Sequence, residues 1–343
     1  MTFKIDGGSQ EPIYKQLVTQ VKRALHEGRL PAGEQIPSMN DLAAKLGISR
    51  ETVKKAYGIL VENGMVVPKH GKGFYAANIE DSGRPQVLVI FDKFSVYKQI
   101  MYNAFAETLG DMADMTIVNH NQSLDLLTYY LDNYLDNFDY YVVTPHFPLD
   151  SDTQAGVLRQ LARIPNRKLI MLDRLQPDYP GNYGAVYQDF ESDIYDGLSE
   201  GFKKGAVPQE CHLKVITLPE SLYGSIIRRG VERFCKDYDI PVSFYYTAPD
   251  DISRGDIFLV LNSQLDEGLV GLVRKISAKK LIIGKEVKII SYNEFPMNEL
   301  VLDGLTTVST DFWEMGRLAA DMVAGHKLSK IHCPFKMIKR HTF

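Results

Sequence analysis

Residues 35 to 77, QIPSMNDLAAKLGISRETVKKAYGILVENGMVVPKHGKGFYAA, constrain the fold more than any other stretch of this 343-residue chain. Pro37 and Ser38 open a helix that carries Leu42, Ala43 and Leu46 on one face, and Gly47 breaks it. Ser49 then caps a second helix with Val53, Ala56, Tyr57 and Leu60 at helical spacing. A helix, a Gly-containing turn and a second capped helix predict a helix-turn-helix. After Asn63 and Gly64 stop that helix, MVVP and GFYAA read as short strands joined across KHGK, a hairpin with a positive tip that makes a wing.

Upstream, Ile13, Leu17, Val21 and Leu25 lie one turn apart and predict a helix from about Pro12 to His26, ended by the Gly28, Pro31, Gly33 cluster. Residues 1 to 10 are polar and Gly-containing and read as a mobile arm. The formal net charge of -4 is unusual for a nucleic-acid binder until the chain is divided. Up to residue 80 there are eleven Lys/Arg against eight Asp/Glu, which leaves 28 against 35 for the remainder. The basic part coincides with the helix-turn-helix.

Residues 78 to 85, NIEDSGRP, are polar with Gly and Pro and predict a linker. Beyond it, apolar runs with strand character alternate with helical ones: QVLVIF, MTIVNH, DYYVVTP and KLIMLD, then HLKVITL, PVSFYYT, DIFLVLN and VKIISYN, with helices between and a last strand near 334 to 338. Strands alternating with crossover helices predict a parallel sheet covered on both faces, and about 260 residues suffice for two such lobes. The expected fold is therefore α/β with a small α+β domain: a winged helix over 1–77, a linker over 78–85 and a two-lobed α/β fold over 86–343. Open α/β sheets bind ligands beyond the carboxyl ends of their strands, where Phe91, Asp92, Thr144, Asp173, Arg174, Asn262 and Asn293 fall.

Apolar runs such as VLVIF and IFLVL are far shorter than the roughly 18 residues of a membrane span. A cytoplasmic protein without membrane contact is expected. Cys211, Cys235 and Cys333 are far apart, with no CxxC spacing and no clustered histidines, so neither a disulfide framework nor a metal site is expected. HGKGF is not a Walker loop, and GxGxxG after the strand at 86 to 91, GxSxG and HExxH are lacking. Neither enzymatic activity nor a cofactor is expected.

PIYKQLVTQVKRALHEGRLPAGEQIPS, LAAKLGISRETVKKAYGILVENGMV and HGKGFY resemble the winged-helix domain of the GntR family of bacterial transcription regulators, over nearly all of residues 11 to 77. The resemblance implies double-stranded DNA as partner, with the second helix of the motif in the major groove and the wing tip at the minor groove. It places Arg50 and Lys54 at the recognition-helix basic positions with Thr52 between them, and His70 and Gly71 at the wing tip. Asn40 stands where the family commonly has Arg. Physical chemistry adds Ser38 and Ser49, whose capped helix ends present free N–H groups to phosphate, and Lys55 and Lys72 as phosphate ligands.

IMLDR at 170 to 174, LVLNS at 259 to 263, IISYNE at 289 to 294 and the following LTTVSTDFWEMGRLAADMV are similar to the effector domain of LacI regulators and the periplasmic sugar-binding proteins. Together the two resemblances describe an arabinose-repressor-type architecture. They imply a regulator of a carbohydrate-utilisation operon, of repressor type in most such proteins, whose binding as a homodimer to a palindromic operator is controlled by a monosaccharide or its phosphate, with the sign of that control left open by the sequence. By position, Asp173, Arg174, Asn262 and Asn293 would bind sugar hydroxyls, with Phe94 and Tyr97 available to stack on an apolar sugar face. The family's Arg three residues before Gly230 is replaced by Ile227, and Arg228 is one residue off. A non-sugar effector such as a nucleoside or amino acid, an acyl- or metal-binding effector domain, and a fused enzyme domain are the rival readings.

Overall fold

A computed structural model of the chain describes residues 3–8, 12–26, 29–62, 64–69, 71–77, 84–202, 211–219, 221–261 and 267–343. The chain divides into two compact units, Met1–Arg84 and Pro85–Phe343. Of the segment expected to link them, 78–83 lie outside the described residues.

The first unit runs α1 (Ile13–His26), β1 (Gln35–Ile36), α2 (Met39–Leu46), α3 (Arg50–Glu62), β2 (Val66–Lys69) and β3 (Gly73–Ala76). Its strands form an antiparallel sheet in the order β1-β3-β2. Leu17, Val21, Leu42, Val53, Tyr57, Leu60 and Val66 make one core, the same apolar positions whose spacing predicts the three helices. Ser38 caps α2 through the Asp41 N–H, and Gly47 ends it in the left-handed conformation, φ 65°, that glycine adopts without penalty. Tyr57 donates to the Pro37 carbonyl at 2.7 Å and meets Phe74 edge-on, so it ties α3 both to the start of α2 and to the wing.

The expected mobile arm is instead held. Phe3 is buried in the winged-helix core. The Gln20 amide bonds both the N–H and the carbonyl of Lys4, and the Gln16 amide does the same for Asp6. Two glutamines one helical turn apart thus offer alternate residues of the arm the pairing a neighbouring strand would give.

The second unit has two sheets. The first lobe contains β4 (Gln86–Phe91), α4 (Val96–Leu109), β5 (Asp114–Asn119), α5 (Leu124–Tyr134), β6 (Tyr140–Val143), α6 (Ser151–Leu161), β7 (Leu169–Asp173) and β8 (Gly184–Tyr187). The second contains α7 (Phe190–Phe202), β9 (His212–Ile216), α8 (Gly224–Tyr238), β10 (Val242–Tyr245), β11 (Asp256–Val260), α9 (Glu267–Ala278), β12 (Lys288–Tyr292) and β13 (Thr306–Thr310). The chain then returns to the first lobe with α10 (Phe312–Ala324) and β14 (Lys330–His332), and ends in the second with β15 (Phe335–Ile338). Three crossovers join the lobes: β8 to α7, β13 to α10, and β14 to β15.

The sheet orders are β5-β4-β6-β7-β8-β14 and β10-β9-β11-β12-β13-β15, parallel except for β15. Each lobe's first five strands therefore follow the 2-1-3-4-5 order, whose switch point lies between its first and third strands. These are β4 and β6 in one lobe and β9 and β11 in the other. Glycines set the closest helix packing. A Cβ on Gly316 of α10 would lie 2.1 Å from the Met101 carbonyl oxygen of α4, and one on Gly230 of α8 would lie 2.3 Å from the Glu191 carbonyl oxygen of α7. No described helix is long and apolar enough to cross a membrane.

Candidate functional sites

In the winged helix, Ser38, Asn40, Ser49, Arg50, Lys54, Lys55, Gly71 and Lys72 are all exposed, and Thr52 is half-buried. Ser49 Oγ accepts the Thr52 N–H at 3.1 Å and shares a hydrogen bond with the Thr52 hydroxyl at 2.8 Å, so the two side chains act as one cap. Arg50 follows that cap on the first turn of α3, where the helix dipole also favours an anion. Lys54 forms only an exposed pair with Glu51 at 3.5 Å, an interaction weak enough for a phosphate to displace. Lys55 is different: its ammonium lies 3.9 Å over the Tyr14 ring, which fixes it against α1.

The wing is braced from beneath. Gln35 and the Tyr75 hydroxyl both donate to the Lys72 carbonyl, at 2.8 and 3.2 Å. The turn uses left-handed glycines, Gly71 with φ 70° and Gly73 with φ 102°, and a Cβ at Gly73 would press on the Gln35 amide at 2.9 Å. His70 lies outside the described residues.

Between the lobes of the second unit, the β4/β6 switch point is closed by the Thr144 hydroxyl, which accepts the Asp92 N–H at 2.8 Å and lies 3.3 Å from the Asp92 carboxylate. Lys98, on the first turn of α4, is buried and contacts the Asp173 carboxylate, with Asp92 3.4 Å away. An ammonium at a helix N-terminus opposes the dipole, so the two carboxylates are what stabilise it there. Burial alone would lower the Lys98 pKa, but Asp173 and Asp92 reverse the effect and raise it. Burial would likewise raise the Asp173 and Asp92 carboxyls, but Lys98 and His146 hold both below the usual range.

His146 Nε2 stands 2.9 Å from Asp173 Oδ2. Asp173 also accepts from the Gln188 amide, whose oxygen accepts from Thr310 at 2.9 Å. Arg174 donates to the Pro145 carbonyl at 3.2 Å. From the second lobe, the Tyr223 ring comes within 5.2 Å of the Arg174 guanidinium and 5.1 Å of His146, and stacks on Phe190 at 4.3 Å. Nearby, His120 is a structural residue: Nδ1 accepts the Gln122 N–H, Nε2 donates to the Thr144 carbonyl and the ring stacks on Phe147. Burial depresses its pKa to about 4.

The two lobes present matching strand ends. Asp173 closes β7 and Asn293 follows β12, and both have φ 74°, a left-handed conformation that non-glycine residues adopt sparingly and that concentrates at binding sites. In the second lobe, Thr217 Oγ1, Tyr292 Oη and Asn293 Oδ1 are buried without a hydrogen-bond partner among the described residues. Unpaired buried polar groups of this kind are costly.

The structure thus brings Asp173, Arg174 and Asn293 to the crevice strand ends. Asn262 lies outside the described residues. Tyr97 stacks on Phe312 at 5.1 Å within the first lobe, and Phe94 is half-exposed with its edge against Phe91. Arg228 is not brought to the crevice: it is exposed on α8, paired with Glu232 at 2.7 Å and laid over Phe244 at 4.1 Å. Lys98, His146, Gln188 and Tyr223 stand among these residues and are not among those expected from the sequence.

Beside the first and third crossovers, buried Asp193 of α7 meets His332 of β14 at 2.7 Å and accepts the Asp189 N–H at 2.7 Å. Burial is the larger effect and lifts the Asp193 carboxyl from its ordinary 3.8 to about 6, with His332 opposing it. The folded state therefore binds this proton more tightly than the unfolded one. The carboxyl's contribution to stability falls as pH rises from about 4 to 6, and the full penalty persists above that range. Across that window Asp193→Asn is expected to gain on the order of 3 kcal/mol relative to wild type. Urea titrations of both proteins at several pH values check it.

A model of the bacterial regulatory proteins of the gntR family matches residues 13–76, and a periplasmic binding protein-like domain matches residues 223–333. The HTH-type transcriptional regulator TreR of Bacillus subtilis is 33% identical over 105 residues, 31% of this chain and 38% of that protein. The chain thus aligns with well under half the length of that relative. The lac repressor bound to ONPG in the repressed state superposes with a TM-score of 0.60 at 15% identity, covering 90% of this chain and 100% of that one. The trehalose repressor from Escherichia coli gives a TM-score of 0.56 at 15% identity over 74% of this chain and 99% of its own. At such identities the structural likeness concerns the fold alone, chiefly the two-lobed parallel-sheet α/β unit.

Proposed function

We propose that this chain, a GntR-type winged helix joined to a periplasmic-binding-protein-like unit, is a sugar-responsive transcription repressor. It binds a pseudo-palindromic operator as a homodimer, because one recognition helix reads too few base pairs for specificity and paired half-sites supply the rest. The DNA-reading set is Arg50, Thr52 and Lys54 on α3, with Ser49 and Ser38 offering helix N–H groups to phosphate and Lys72 and Gly71 at the wing. Asn40 contributes no charge, and Lys55 acts from its place on Tyr14.

The effector lies in the crevice between Asp92, Lys98, His146, Asp173 and Arg174 on one lobe and Thr217, Tyr223 and Asn293 on the other. Lys98 is already committed to Asp92 and Asp173 and Arg174 to the Pro145 carbonyl, and Arg228 is turned to solvent, so a phosphate dianion would find few groups there to compensate it. A neutral monosaccharide suits the site better. Its hydroxyls both donate and accept, which the carboxylate, guanidinium and amide groups there can answer in pairs. The observation that carries this reading is the juxtaposition of an Asp–Lys–Asp cluster with buried unpaired oxygens at the facing strand ends.

A promoter fragment from beside the protein's own gene is expected to bind with steep salt dependence, and absence of binding at low salt would sink the regulator reading. Arg50→Ala is expected to lose about 1 to 3 kcal/mol of discrimination at one base position, while Lys72→Ala weakens all sequences alike and reduces the salt slope by about one. An Arg50 variant that discriminates like wild type would remove α3 as the reading helix. A thermal-shift screen of monosaccharides and their phosphates identifies the effector. Response only to phosphates, nucleosides or amino acids would overturn the neutral-sugar assignment.

A further inference from the structure

We propose that Gln188 is the positioning residue through which the state of the crevice reaches the crossover strands. The proposal rests on the preceding reading that the crevice holds the effector. Gln188 sits on the first crossover, immediately after β8, and is buried. Both ends of its amide are engaged. The NH2 donates to Asp173 Oδ1, an acceptor that admits no other orientation, and the oxygen accepts from the Thr310 hydroxyl at 2.9 Å on the second crossover.

The series continues into the second lobe. The Thr310 carbonyl accepts from Ser309 Oγ at 2.7 Å, and that oxygen accepts the Glu294 N–H at 2.9 Å. Glu294 follows Asn293, the left-handed strand end that corresponds to Asp173. A series of hydrogen bonds, joined through the Thr310 residue itself and the Asn293–Glu294 peptide, thus runs from one lobe's strained strand end to the other's, crossing two of the three connections on the way. Gln188 is the one side chain in it that touches both lobes.

Asp173 is shared among Lys98, His146 and Gln188. A ligand that draws on the Asp173 carboxylate competes with the Gln188 amide, and a displaced Gln188 releases Thr310. The open and closed arrangements of the lobes then differ in this bond, which is the differential interaction any allosteric shift requires.

The variants are Gln188→Met, close in shape but without the amide, with Thr310→Val and Thr310→Ser as a mild pair that removes or keeps the hydroxyl. DNA affinity is measured with and without the monosaccharide that shifts the wild-type melting transition. Coupling in such systems is about 5- to 150-fold, and most of it is expected to be lost in Gln188→Met and Thr310→Val, leaving about onefold to a few-fold, and to survive in Thr310→Ser. The double variant is expected to be no worse than either single one, since all three break the same path. Retained coupling in Gln188→Met, or additive losses, would overturn the proposal.

A ligand-free measurement keeps the two readings apart. Spin labels on cysteines introduced at exposed Arg159 of α6 and Ser277 of α9 report the distance between lobes, the native cysteines being buried. The distance distribution is expected to broaden in Gln188→Met and Thr310→Val but not in Thr310→Ser. An unchanged distribution would refute the role of Gln188 whatever the effector is, whereas failure of every monosaccharide to move wild type would refute the effector reading alone.

Discussion

Lys98→Met is expected to destabilise the two-lobed unit by about 3 to 5 kcal/mol and to abolish effector binding, because it strands two buried carboxylates. Methionine fills nearly the same space, so the loss is electrostatic rather than a cavity. Asp92 and Asp173 then face each other without the ammonium they share, and one of them answers by taking up a proton. Its folded pKa, held low by Lys98 in wild type, would rise above the unfolded value. The sign follows: the deficit of the variant is small at acid pH, grows as pH rises through that new pKa and is complete near neutrality. Urea unfolding at pH 5 and pH 8 measures it. Lys98→Met combined with Asp173→Asn is expected to recover part of the loss, since the remaining carboxylate no longer meets a like charge. A Lys98→Met protein as stable as wild type at pH 8 would mean that the cluster is solvated and not a built site.

The same cluster shows where sequence reasoning reaches and where it stops. Asp173, Arg174 and Asn293 were legible because strand ends in a parallel sheet are predictable from the apolar runs before them. Lys98 lies outside that pattern, although it carries a signal of its own: with Met101 and Phe105 it occupies the buried face of α4 at helical spacing, where a lysine requires a partner. Gln188 carries no such signal, because β8 is only four residues long and follows a turn containing Pro177, Pro180 and Gly181. Arg228 illustrates the cost of a single residue. Each step along a helix turns a side chain by about 100°, which takes Arg228 from the crevice side of α8 to Phe244 and solvent.

The alternation of strands and helices was readable because each element carries its own period. The 2-1-3-4-5 order was not, since it depends on pairing between strands far apart in the chain. The arm over residues 3–8 failed for a related reason. Its polarity suggests mobility, but its partners are the side-chain amides of Gln16 and Gln20, a pairing that no local pattern announces.

Gly316→Val is expected to cost the two-lobed unit about 4 kcal/mol or more, at the upper end of single substitutions. The reason lies in what the new side chain meets: its Cβ would fall 2.1 Å from the Met101 carbonyl oxygen, a backbone atom inside α4 that no rotamer change can move. Accommodation requires α10 and α4 to separate, which opens the core that Met101, Phe105, Phe312, Met315 and Ala319 share. Gly230→Val makes the equivalent demand on α8 and α7 in the other lobe. The winged helix has its own core of Leu17, Val53, Tyr57 and Leu60, with no member in common. Calorimetry of either variant is therefore expected to show the two-lobed transition displaced by many degrees while the winged-helix transition stays where it is. If both transitions moved together, the units would be thermodynamically one body. If neither moved, the close helix contact would not exist in solution. The expected outcome has a functional corollary: such a variant keeps its affinity for nonspecific DNA, which needs only the winged helix, and loses its response to any effector.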